Sequence, residues 1–82
     1  MPRFHFNVYD GITDIDRIGT VLVDAGEARL EAVRLAGEIF KSNAKLIALG
    51  EDWRMEVTDG TGLILFRFDF SIMATAALPP TH

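Results

Sequence analysis

One stretch limits what this chain can fold into. From Asp24 to about Ser42, DAGEARLEAVRLAGEIFKS, apolar residues recur at spacings of three and four. Ala25, Ala28, Ala32, Leu35, Ala36 and Ile39 therefore share one stripe of a helix. It is the one long periodic segment; the other segments alternate in polarity or read as turns. A lone amphipathic helix must bury its stripe on a sheet, so the helix is the lid of a two-layer domain. Asp24 stands at the N-cap with Glu27 three residues on, the pattern of a capping box, and both acids suit the positive end of the helix dipole.

The outer face of this helix carries Glu27, Glu31, Arg34, Glu38 and Lys41. Glu31–Arg34, Arg34–Glu38 and Glu38–Lys41 are spaced to pair, each for about 0.2–0.5 kcal/mol. That is a solvated face. Leu30 falls away from the alanine stripe and is expected to be exposed or to touch a partner. Residues 43–49 either continue the helix or start a second turn, with Gly50 as the residue that ends it.

The strands follow from period two. Phe4, Phe6 and Val8 oppose Arg3, His5, Asn7 and Tyr9, giving a half-buried strand with one wet face, as in antiparallel or mixed sheets. Asp10-Gly11 marks a turn. Ile12–Gly19 reads as a loop pinned by Ile15 and Ile18, and Thr20–Val23 as a short strand pairing back on the first. Trp53, Met55 and Val57 alternate with Arg54, Glu56 and Thr58, and Ile64, Phe66, Phe68 and Phe70 share one face of a last strand. Between them Asp59-Gly60-Thr61-Gly62 signals a hairpin. A four-residue loop pairs Val57 with Ile64, Met55 with Phe66 and Trp53 with Phe68, and a two-residue loop also keeps apolar opposite apolar. An odd loop sets Trp53 against Arg67 and turns the phenylalanines outward, so parity excludes it.

These elements predict an α+β fold, β-β-α-β-β, with one helix packed on a roughly four-stranded, mainly antiparallel sheet. Residues 1–72 form a single domain, and 73–82 a flexible or short helical tail broken by Pro79-Pro80. The expected core is Phe4, Phe6, Val8, Leu22, Ala28, Ala32, Leu35, Ala36, Ile39, Trp53, Met55, Val57, Ile64, Phe66 and Phe68. Small alanines facing large sheet residues let the two layers approach closely.

Composition narrows the setting. A chain of 82 residues is one small domain that buries about 60% of its unfolded surface, and 49% hydrophobic residues suffice for a core. Cysteine is absent, which removes disulfides and thiolate chemistry and suits a cytoplasmic location. No run is long enough to span a bilayer, and the alternating N-terminus is no signal peptide. A net charge of −4 opposes binding to nucleic acid, which depends on Lys and Arg.

Several local patterns recur together: the opening MPRFHFNVYDG, Asp16-Arg17-Ile18-Gly19 leading to Leu22-Val23-Asp24, and Ala28-Arg29 with Glu31-Ala32. Trp53-Arg54-Met55-Glu56-Val57-Thr58-Asp59 and Gly62 complete the set over residues 1–70. In this order they resemble a family of short bacterial domains of unknown function, found mostly in alphaproteobacteria. Gly60 stands where that pattern has an acid, and the Ala-rich end departs from it. The resemblance implies a small cytoplasmic protein with no assigned activity, and it carries over no functional residues. Gly19, Asp24 and the Ala28–Ala32 spacing are also similar to antitoxin-type domains that neutralise a partner ribonuclease.

Chemistry-bearing constellations are few. Asp10, Asp14 and Asp16 cluster, yet Gly11 and Val21 occupy the positions where a calcium loop needs other residues, so turn-forming acids are the better account. His5 and Tyr9, with Arg54, Glu56 or Arg67, are the candidates for a ligand site on the wet sheet face. Phosphate-binding patterns are absent, because Gly60-Thr61-Gly62 leads into a strand rather than a helix. Phe4, Phe6, Phe66 and Phe68 belong under the helix rather than on an RNA-stacking face. Leu63 and Leu65 are expected on the outer face, where with Leu30 they suggest self-association. The expected function is a non-enzymatic interaction domain without catalytic, cofactor or metal residues, acting as a homodimer. The alternatives are an antitoxin-like partner of another protein and a small ligand-binding domain at His5 and Tyr9.

Overall fold

The computed structural model describes residues 1–10, 13–46 and 52–79. Alternation and helical period produce seven elements: β1 (Arg3–Tyr9), β2 (Thr13–Asp14), β3 (Thr20–Val21), α1 (Ala25–Ser42), a 3₁₀ turn (Ala44–Leu46), β4 (Asp52–Asp59) and β5 (Ile64–Ser71). All strand pairs are antiparallel. The fold is α+β with five strands rather than four, because β2 is a strand of its own. β4 occupies one edge of β1 from Phe4 to Tyr9, so β2 and β3 share the other edge, at its two ends. The sheet order is β2-β1-β4-β5, with β3 also paired to β1.

Asp24 caps α1 as the sequence predicts, its Oδ1 accepting from the Glu27 amide at 2.9 Å. The helix ends at Ser42, where the Asn43 amide donates to the Ile39 carbonyl. A 3₁₀ turn follows instead of more α-helix; the expectations for 47–50 and for the Gly11 turn lie outside the described residues, as does the end of the tail from Pro80. Ala28, Ala32 and Ala36 are buried against the sheet, opposite Phe4, Phe6, Val8, Leu22, Trp53, Met55 and Val57. Leu35, Ile39, Phe66 and Phe68 pack on this core but are only half-buried. Of the helix ion pairs, Glu31–Arg34 closes at 3.1 Å.

The β4–β5 hairpin corrects the parity argument. Its loop is odd: Gly60, Thr61 and Gly62 bridge Asp59, whose amide donates to the Leu63 carbonyl at 3.0 Å. Gly62 takes φ +92°, a conformation glycine adopts without cost. Thr58 accordingly faces Ile64, but Val57 faces Phe66, so Leu65 is an extra residue in β5, a β-bulge. The bulge restores the parity that the odd loop breaks, so on the helix side of the sheet the later pairs are apolar on apolar, Met55 with Phe68 and Trp53 with Phe70. The register thus differs by two residues from the expected one. Ile64, ahead of the bulge, is 52% exposed instead of core, whereas Leu65 packs against the core instead of facing outward.

Ile15 and Ile18 are also exposed, so they do not pin the 15–19 loop. Met55 and Val57 are the largest fully buried side chains. Met55→Ala should therefore cost about 3 kcal/mol of stability through lost burial and a residual cavity, read as a lower urea midpoint.

Candidate functional site

The loop between β2 and β3 is held by a charge. Asp16 Oδ2 accepts from the Phe6 amide at 3.2 Å, and Oδ1 accepts from the amides of Ile18 (3.2 Å) and Gly19 (2.9 Å). Phe6 lies on the β1 edge in the gap between the Val8–Asp14 and Phe4–Thr20 pairs, so the carboxylate takes the place of a missing strand. The Asp16 amide donates to Asn7 Oδ1 at 2.9 Å, and Arg3 Nη1 donates to the Ile18 carbonyl at 2.8 Å. The Asp16 carbonyl accepts from His5 Nδ1 at 2.8 Å; a carbonyl only accepts, so Nδ1 carries the proton and neutral His5 keeps its lone pair on Nε2. Gly19, at φ +77°, closes the loop where an added Cβ would stand 2.9 Å from the Phe4 carbonyl oxygen and 2.8 Å from Arg3 Cγ. Burial pushes the Asp16 carboxyl up, but the Gly19, Phe6 and Ile18 amides, with a smaller contribution from His5, hold it below its ordinary 3.8.

His5 and Tyr9 share the sheet face turned away from the helix, but that face is half-buried rather than wet: Asn7 and Thr58 are buried beside them. Across the sheet, Tyr9 faces Arg54 and Arg54 faces Asp69; Asn7 faces Glu56 and Glu56 faces Arg67. Four charges thus alternate in sign along and across β4 and β5. Arg54 Nε stands 3.4 Å from Glu56 Oε2, an ion-pair distance without a hydrogen bond, and the Arg54 guanidinium lies 4.5 Å over the Tyr9 ring. Arg67 Nε donates to both Asp69 oxygens at 3.0 and 3.2 Å, and this pairing raises the Arg67 pKa. Beside the lattice, an open cavity of about 420 Å³ is lined by His5, Asn7, Tyr9, Asp16, Glu56 and Thr58 among others. It has walls of mixed polarity, but the side chains there are largely committed to one another. Among the described residues no group of three His, Asp or Glu side chains is placed to hold a metal ion. No described helix is long and apolar enough to cross a membrane.

The opposite side of the molecule is apolar. A groove of about 370 Å³ runs between α1 and β5, lined by Val33, Ala36, Gly37, Phe40, Trp53, Phe68 and Phe70, with Asp69 at its rim. Phe40 meets Trp53 edge-on, ring centroids 4.7 Å apart, and tilts on Phe70 at 4.4 Å. Trp53 is 3% exposed, and its Nε1 finds no acceptor among the described residues. Val33 is 54% exposed and Leu30 46%. Leu30, Val33 and Gly37 follow one another at spacings of three and four, so Leu30 continues the flank that borders the groove. Leu63 is exposed in the hairpin loop, away from this groove's lining. Sequence reasoning read Asp16 as a turn-forming acid, which it is, but not as the acceptor for Phe6, and it did not single out Val33, Gly37 and Phe40. Phe40, four residues beyond Ala36, was the available signal for the groove, and the Asp16–Gly19 spacing was the signal for the edge loop.

The sequence model of a family described as Domain of unknown function (DUF6894) matches residues 3–71. No curated protein and no solved structure matches the chain.

Asp16 and Gly19 make the edge loop testable. Asp16→Ala should destabilise by about 2 kcal/mol, since it strands amides that bond a charged acceptor. Gly19→Ala should cost about 2 kcal/mol through left-handed strain and the Phe4 contact. Because the folded carboxyl titrates below 3.8, its contribution is complete above that pH and fades as pH falls through the folded value. Denaturant midpoints measured from pH 6 to pH 2 should fall less steeply in Asp16→Asn than in the parent.

Proposed function

The chain belongs to the family whose model it matches, and from that premise we propose a non-enzymatic, self-associating interaction domain that forms a homodimer through its β5 side. The supporting observation is the contrast between the two sheet edges. The β1 edge is covered by β2, β3 and the Asp16 carboxylate, while the outer edge of β5 pairs with no described strand and adjoins the apolar groove. A long edge strand with one apolar face is the type of surface that natural sheets cover or use for association. Half-buried phenylalanines in a groove gain more burial from a second copy than from water. The face of His5 and Tyr9 supports no catalytic reading, because its charged groups neutralise each other in pairs. The cysteine-free composition favours a cytoplasmic setting.

The antitoxin-like alternative uses the same groove for a different chain. Val33→Glu tests both. Val33 is already more than half exposed, so the substitution leaves the fold intact but places a charge at the groove. By light scattering at high micromolar concentration, the parent should be dimeric and Val33→Glu monomeric. A monomeric parent that loses a co-purifying protein on Val33→Glu would instead favour the antitoxin-like reading. The cavity at His5 and Tyr9 supports the ligand-binding reading, which predicts a small molecule whose binding is lost in His5→Ala and kept in Val33→Glu.

A further inference from the structure

Resting on the self-association reading, we infer that two copies pair β5 with β5 in antiparallel register, with Phe68 opposite Phe68 across a two-fold axis, to make one continuous sheet. The segment Phe66-Arg67-Phe68-Asp69-Phe70 reads alike from either end, except that its two charges are opposite. Antiparallel pairing about Phe68 sets Phe66 against Phe70 of the second copy and Arg67 against its Asp69, twice over. The neighbouring arrangements fail by charge. Parallel in-register pairing sets Arg67 on Arg67, sliding by two residues sets Arg67 on Arg67 or Asp69 on Asp69, and sliding by one sets phenylalanine against charge. Leu65, the bulge residue, bounds the segment on one side, which limits the pairing to the residues beyond it.

The two-fold axis stands perpendicular to the sheet, so both helices lie on the same face and their grooves meet above the phenylalanines. This accounts for Gly37. A glycine inside a helix weakens it, and an added Cβ there would have nothing within 4 Å, so nothing in the single chain requires it. In the pair, the missing side chain is the space into which the second copy's helix or phenylalanines fit. Each Arg67–Asp69 pair, already bonded within its strand, becomes half of a four-charge cluster across the axis.

Two sets of variants test the register in the full chain. The protein has no cysteine, so introduced ones report alone. Phe68→Cys should form a disulfide-linked dimer on mild oxidation. Phe66→Cys and Phe70→Cys should cross-link only when mixed, because each is opposite the other and roughly four residues, or about 13 Å, from its own counterpart. Exposed-face variants guard against misfolding of these. Arg67→Asp and Asp69→Arg should each be monomeric, and their equimolar mixture should recover the dimer. Gly37→Ala should raise the melting temperature of the Val33→Glu monomer while weakening the parent dimer roughly tenfold. A dimer that Val33→Glu disrupts, but that survives Arg67→Asp and cross-links out of this pattern, overturns the register and leaves self-association standing. A parent that is monomeric throughout overturns both.

Discussion

The Asp16 carboxylate is the contact on which the arrangement of this sheet depends. β1 needs an acceptor for Phe6 at a place where β2 has ended and β3 has not begun. A strand could satisfy that amide, but a strand there would have to run straight through the loop. A charged oxygen does it from a turn, and the same side chain closes the turn through Ile18 and Gly19. Hydrogen bonds to a charged acceptor are stronger than neutral ones, so one carboxylate stands in for the ladder bond that Phe6 lacks. Gly19 follows as a necessity, since the chain must pass close to the Phe4 carbonyl in a left-handed conformation.

With that edge closed, β1 becomes an interior strand and the hydrophobic layer shifts toward β4 and β5. α1 lies over the middle of the sheet with alanines at the contact, which lets it sit low but gives it a narrow reach. Phe66, Phe68 and Phe70 extend beyond that reach and stay half-buried. The two edges therefore differ in kind. One is closed by an internal charge, and the other presents apolar rings beside backbone that no described strand pairs.

Much of this was legible in the sequence, and what was not has identifiable causes. Asp24, the alanine stripe and the alternating strands obey local rules, so their elements and most of the core follow directly. The face assignment of Phe66, Phe68 and Phe70 also follows, although the loop length does not. An odd loop and a bulge cancel, and parity alone cannot distinguish two cancelling changes from none. Leu65 is the residue that reveals the pair, by packing inward where alternation points it outward. Asp16 was hidden differently. In sequence it is one of three nearby acids, and only the pairing register shows that Phe6 lacks an acceptor. Phe40 lies at helical spacing from Ala36, but a flank becomes a groove wall only once β5 is seen to extend past the helix.

The small core and the open edge have a common origin. A chain this short must choose between a large lid and a close one. Alanine at 28, 32 and 36 makes the lid close, which packs Met55 and Val57 completely but leaves the phenylalanines of β5 at the margin. A larger stripe, with leucine in place of alanine, would reach them only by lifting the helix off β4. The proposed second copy would resolve the conflict without that cost, because the same rings, related by a two-fold axis, would become the centre of a wider sheet. In the proposed pair the Arg67–Asp69 order would matter more than the apolar content, since phenylalanines alone would accept many registers and the alternating charges disfavour those displaced by one or two residues. Self-complementarity in β5, combined with a sealed β1 edge, favours a closed pair over an open chain of sheets.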